Sequence, residues 1–83
     1  INAGHRLSKQ FHEVKEETVY VLKGTLYNYD QDDNIQKFTP GQSFHVNVGQ
    51  VHRFGANESS VEIVEVSTPH LNDVVRLADD YER

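Results

Sequence analysis

Gln10, His12, Glu17 and His52 are the side chains of this sequence best placed to do chemistry. Gln10 and His12 are separated by a single residue, so in an extended strand both leave the same face. Glu17 follows a short polar stretch, Glu13–Glu16, that reads as a tight turn, and so returns on the next strand. His52 comes from a distant strand behind Gly49. Oxygen and nitrogen donors that converge inside a β-structure make a metal-ligand set. Two imidazoles, a carboxylate and an amide oxygen, with no sulfur, suit zinc, manganese, iron, cobalt or nickel rather than calcium or copper(I). One divalent ion is therefore the expected cofactor, and Gln10, a neutral donor weaker than His, lowers the affinity of the site for each of them.

The elements that must carry these residues are strands. His5–His12 alternates, Val19–Leu22 is an apolar run, and Gly24 breaks it before Thr25–Tyr29 continues. The polar cluster Asp30–Asn34 predicts a hairpin turn into Ile35–Phe38. Its spacing lacks the glycine and terminal glutamate of a calcium loop. Turns at Pro40-Gly41 and Gly49-Gln50 bracket a strand over Ser43–Val48, and Val51–Phe54 follows. Ser60–Ser67 alternates, with Val61, Ile63 and Glu65 on one face, and Pro69 ends it. Asn72–Leu77 is expected as a last short strand, and Ala78–Arg83 as a helical turn. Short strands at this spacing predict an all-β sandwich or barrel made of two antiparallel sheets. Val19, Val21, Phe44, Val46 and Phe54 should fill it. An apolar face around Tyr20, Leu22 and Leu26 is left for a second copy to cover, so a homodimer is expected.

The spacing resembles that of the cupin family. Gly4, Gln10, His12, Glu17 and Gly24 fall on the positions of a cupin's first motif, with Gln10 replacing the first histidine. Gly41, Gly49 and His52 fit the second motif. Asn47 stands where proline is usual, and Asn57 comes one residue late, so the turn after His52 should be rearranged. The resemblance implies a small cupin, a double-stranded β-helix or jelly-roll barrel. Leu7-Ser8-Lys9-Gln10-Phe11-His12, Lys23-Gly24-Thr25 and the tail from Ile63 to Arg83 look like the cupin domain of type II phosphomannose isomerases. That likeness favours zinc, and it implies mannose-6-phosphate isomerase-like chemistry on a sugar or sugar phosphate.

The remaining charged and titratable residues have two readings each. Arg6, by parity on the Gln10/His12 face, and Lys15, in the turn before Glu17, can meet a substrate anion or close rim salt bridges. Arg76 can contact a phosphate or pair with Asp73 or Asp79. Lys9 and Arg53 should point away from the metal side. His5 lies on the face opposite Gln10, His45 alternates against the inward Phe44 and Val46, and His70 falls in a loop; none is expected among the ligands.

At 83 residues with a formal charge of −5, the chain is a single domain, 1–83, without the basic footprint that nucleic acid or an acidic membrane would need. A core this small gains from a metal or a partner subunit. The absence of cysteine excludes disulfides and thiolate ligands. No membrane-length apolar run or signal-peptide pattern is present, and a cytoplasmic location is expected. The absence of Met and the start at Ile1 predict a fragment or domain of a longer chain.

Two functions follow. The first is a metal-dependent aldose–ketose isomerase of sugar phosphates, in which a cation polarises the reacting oxygens and a nearby base moves a proton. Glu17 is committed to the metal, and Glu65 is a candidate base on strand parity alone. The second is a non-catalytic sugar-binding or dimerisation module of a larger enzyme. An iron-dependent oxygenase is disfavoured by the glutamine ligand.

Overall fold

In the stretch from Glu17 to Val21 every second side chain is buried, and that alternation sets the architecture. The computed structural model describes residues 1–68 and 75–78. Eight strands lie among them: β1 (Lys9–Phe11), β2 (Glu17–Lys23), β3 (Leu26–Tyr29), β4 (Ile35–Phe38), β5 (Ser43–Val46), β6 (Arg53–Gly55), β7 (Glu62–Ser67) and β8 (Val75–Ala78). No helix occurs among the described residues. Glu17, Val19 and Val21 of β2 point inward, while Tyr20 and Leu22 face out. At the end of β2, Gly24 adopts φ 77° and packs so closely on the next segment that a Cβ there would overlap the Ser60 carbonyl. Only glycine combines that backbone with that approach.

The strands pair antiparallel in the orders β5-β2-β7, β4-β3-β6 and β1-β8. Two isolated bridges, Arg6↔Gly55 and Gln10↔His52, join the β1 segment to the β6 segment. They extend the second layer to β4-β3-β6-β1-β8. Apart from the β3–β4 hairpin, neighbours in both layers are distant in sequence, the mark of a double-stranded β-helix or jelly-roll barrel. Between the layers lie Val19, Val21, Leu26, Val46, Phe54, Ala56 and Val61, with Leu7, Phe38, Phe44 and Ile63 packed against them. The aromatic members step through the interior, Phe38 to Phe44 at 5.0 Å between ring centroids and Phe44 to Phe54 at 6.0 Å edge to face. Buried Asn28 is satisfied at both ends of its amide: Nδ2 donates to Gln36 Oε1 at 3.1 Å, and Oδ1 accepts from the Arg53 amide at 3.3 Å.

Four of the five residues assigned to the core are buried there, and Phe44 packs half-buried against them. Leu26 is the correction. It is fully buried and takes no part in the outer apolar face. The turn at Gly24 resets the alternation, so Leu26 and Asn28 point inward while Tyr20 and Leu22 do not. On the outside, Tyr20 instead meets Val64 directly across β2 and β7, and Val66 lies two pairs further along, opposite Thr18. The first strand is shorter than expected, and Ala78 belongs to β8. The helical turn expected beyond it, like His70, lies outside the described residues.

Candidate metal centre

Three of the four expected donors meet in the barrel. His12 follows directly after β1, Glu17 opens β2, and His52 precedes β6; all three are buried. Glu17 Oε1 lies 3.4 Å from His12 Nε2 and 3.5 Å from His52 Nε2. The two rings are 5.3 Å apart, tilted at 43°. Donor atoms of the three residues all lie within 4.8 Å of one another. Two ligands at roughly 2.0–2.1 Å from a tetrahedral ion are separated by about 3.3 Å. The spacing observed here is therefore that of a metal-ligand set.

The hydrogen bonding points the same way. His52 Nδ1 lies 3.2 Å from the Gln50 carbonyl. A carbonyl can only accept, so Nδ1 donates to it and Nε2 faces the cluster, donating to Glu17 in the metal-free protein and able to offer its lone pair to an ion once deprotonated. That pattern, one ring nitrogen tied to backbone and the other aimed at the site, is how metal-binding histidines are oriented. His12 Nε2 is also buried and, its contact with Glu17 aside, makes no hydrogen bond. The hydrogen bond from His52 chiefly holds the Glu17 carboxyl below its ordinary value, against the opposing effect of burial, and the charges of His12 and His52 add to it. Glu17 is thus kept as a carboxylate, the form a cation needs.

Gln10 joins this group through the backbone. Gln10 and His52 exchange two amide hydrogen bonds, at 3.0 and 2.9 Å, as a directly opposed pair. Directly opposed residues share a face, so the Gln10 side chain stands beside His52. On its other side Gln10 is paired with Arg76 of β8, which is exposed and shares that face in turn. Lys15 lies in the turn before Glu17, close enough for its charge to act on Glu65.

Arg6 does not reach this face. From Arg6 to Gln10 the chain advances four residues, while its partners step back three, from Gly55 to His52. One extra residue is accommodated, a bulge that reverses parity. Leu7 consequently packs on the core, and the Arg6 guanidinium lies over the Tyr29 ring, 5.4 Å from its centre, on the outer side of β3. Lys9 reaches Asp33 and the Gln31 carbonyl, and Arg53 Nε donates to the Leu7 carbonyl. His5 is exposed. His45 is held on the outer surface between Thr18 Oγ1 at 2.9 Å and Glu16 at 3.2 Å.

Glu65, which the sequence offers on strand parity alone, stands near this cluster. It lies directly across from the buried Val19 and two pairs from Glu17↔Ser67, so it shares the inner face with both. It is exposed to solvent at the layer's edge. Desolvation by the surrounding protein raises its carboxyl, as does the charge of Glu17; Lys15, His52 and His12 oppose that rise. Strand alternation in Ser60–Ser67 gives the face, but not the neighbours.

A family model for the cupin domain matches residues 1–67. The chain belongs to the cupin family. No curated protein matches it by sequence comparison. Among solved structures, this cupin is similar to a sugar phosphate isomerase of the cupin superfamily from Silicibacter pomeroyi. Identity is 20% and the TM-score 0.75, covering 84% of this chain and 46% of that one. It is also similar to a double-stranded β-helix protein from Klebsiella pneumoniae (16% identity, TM-score 0.84, covering 95% and 66%). A third is the polyketide cyclase RemF from Streptomyces resistomycificus (19% identity, TM-score 0.73, covering 100% and 57%). At such identities the likeness carries the fold alone. This cupin spans 46–66% of the length of those three proteins. No helix among the described residues is long and apolar enough to cross a membrane.

Proposed function

We propose that this cupin binds one divalent ion, zinc by preference, at His12, Glu17, His52 and Gln10, and acts as an aldose–ketose isomerase of sugar phosphates. The mannose 6-phosphate/fructose 6-phosphate pair is the substrate it resembles most. The observation that carries the reading is the buried His12–Glu17–His52 cluster, with donor atoms spaced as a metal requires and Gln10 alongside. When bound, the ion would polarise the sugar oxygens and stabilise negative charge developing on them.

The chain's own residues supply the rest. Arg76, on the Gln10 face, and Lys15, at the turn before Glu17, are the cations placed to meet a phosphate arm; Arg6, stacked on Tyr29, is not. The ring tautomer of His52 is fixed by the Gln50 carbonyl, which keeps its Nε2 toward the ion. The similarity to a sugar phosphate isomerase supports the substrate class. Elemental analysis of purified protein, followed by an isomerisation assay with mannose 6-phosphate, tests the reading. About one equivalent of metal and turnover that a chelator abolishes are expected. Absence of metal binding overturns it.

A second reading has its own support. The outer face of β2 and β7 is apolar, and this chain spans less than half of the isomerase it is similar to. Both suit a non-catalytic sugar-binding or dimerisation module of a larger enzyme. Metal and sugar-phosphate binding without turnover would favour it.

A further inference from the structure

An isomerase needs a group that removes a proton from carbon and returns it to the neighbouring carbon, and that group cannot also be spent on the cation. Glu17 is spent in this way: both imidazoles of the cluster converge on its Oε1. The described residues offer one further carboxylate on the inner face of β2 and β7. Glu65 stands across from Val19, diagonal to Glu17. In an antiparallel pair, diagonal neighbours are roughly 7–8 Å apart, so Glu65 stands near Glu17 on that face. Four of the other acids are engaged elsewhere: Glu16 on His45, Glu62 on Lys23, Asp33 on Lys9, and Asp30 in capping its own turn. Glu65 also keeps contact with solvent, and the charges of Glu17, Lys15, His52 and His12 all act on it.

We propose that Glu65 is the acid–base residue of this centre. The inference rests on the isomerase reading given above. Glu65 takes the hydrogen of C2 of the open-chain aldose as a proton. The C2–H electron pair becomes the C1=C2 double bond, and the carbonyl electrons move to O1. The hydroxyl proton of O2 passes to O1, O2 re-forms a carbonyl with C2, and the C1=C2 pair takes the proton back from Glu65 at C1. Nothing is oxidised overall and no co-reactant is consumed. Glu65 moves one proton between adjacent carbons, and Lys15 favours its ionised form between turnovers.

The test compares wild type with Glu65→Gln and Glu65→Asp, all as the full zinc-loaded chain. Exchange of the C2 hydrogen of mannose 6-phosphate is followed in deuterium oxide. A second readout does not depend on turnover. The Glu65 carboxyl carbon resonance, identified by its loss in Glu65→Gln, is followed as the alditol phosphate made by reducing mannose 6-phosphate is added. Expected are a saturable shift of that resonance, unchanged zinc content, and alditol phosphate affinity within about threefold of wild type. Exchange in Glu65→Gln should fall roughly 10²–10⁴-fold, with partial recovery in Glu65→Asp. Exchange in Glu65→Gln within threefold of wild type, or a resonance that does not move, overturns the assignment and leaves the isomerase reading standing. If wild type neither converts mannose 6-phosphate to the ketose nor exchanges its C2 hydrogen while binding zinc and the alditol phosphate, the isomerase reading fails and the acid–base role falls with it; conversion without exchange overturns the acid–base role alone.

Discussion

At the scale of single residues, the centre is built from groups with unequal tasks. His12 and His52 are the strongest neutral donors, and each points a buried Nε2 at Glu17. His12→Ala or His52→Ala should therefore abolish stoichiometric metal by elemental analysis, whereas Gln10→Ala should weaken binding less, because an amide oxygen contributes less. Titration gives a second expectation, for the metal-free protein. The Glu17 carboxyl is held down in the fold, chiefly by its hydrogen bond from His52. Its contribution is thus present above the unfolded glutamate value and lost as pH falls through the folded one. Glu65 is held up, first by desolvation and then by Glu17. Its contribution has the opposite sign: present below the unfolded value, lost as pH rises through the folded one. Metal-free Glu65→Gln should consequently melt higher than wild type at about pH 7 and match it near pH 3, where Glu65 is protonated in both states. A thermal-melt series across that range checks it; a lower melting temperature for the variant at about pH 7 would contradict the sign.

At the scale of elements, what the sequence reveals is what depends on local period. Alternation in β2, the hairpin at Asp30–Asn34 with strands Leu26–Tyr29 and Ile35–Phe38 on either side, and the inward Phe44 and Val46 were all legible. They follow from side-chain periodicity and turn chemistry within a few residues. The approach of His12, Glu17 and His52 was legible through the spacing of two glycine-framed motifs. The bulge between Arg6 and Gln10 was not, because it is visible only against the partner strand, and it moved Arg6 to the opposite face. The inward turn of Leu26 after Gly24 escaped for a related reason: parity does not carry across a left-handed residue. Gly24 also gives this scale its own prediction. Alanine there must hold φ 77° with its Cβ against the Ser60 carbonyl. Gly24→Ala should destabilise by about 2 kcal/mol or more. In a domain of this size that lowers the melting temperature by roughly 8–16 °C. An unchanged melting temperature would mean that the β2–β3 connection is looser than described.

For the whole molecule, the placement of the ligands matters as much as their identity. Glu17 belongs to the β5-β2-β7 layer, while Gln10 and His52 belong to the layer that holds β6 and β1. A bound ion would therefore tie the two layers together across a small core. At a free concentration about 100 times the dissociation constant it adds about 2.7 kcal/mol. A chelator should then lower the melting temperature by roughly 10–20 °C, measured by calorimetry with and without added zinc. The outer side of the smaller layer carries the complementary problem. Tyr20, Leu22, Val64 and Val66 are 46%, 54%, 44% and 59% exposed, and Tyr20 and Val64 are directly paired. Together they make a contiguous apolar surface, not scattered single residues, and in water such a surface favours association. Polar groups flank it on the β5 side, Ser43 and His45 of β5 with Thr18 and Glu16 bonded to His45, as the rim of an interface would require. We expect a homodimer through this face. Sedimentation equilibrium at micromolar concentration should give twice the chain mass, and Val64→Lys should shift it to the monomer without removing metal, since the site lies on the other side of the sheet. A wild-type protein that sediments as a monomer, or a Val64→Lys variant that remains dimeric, would place the contact elsewhere or remove it.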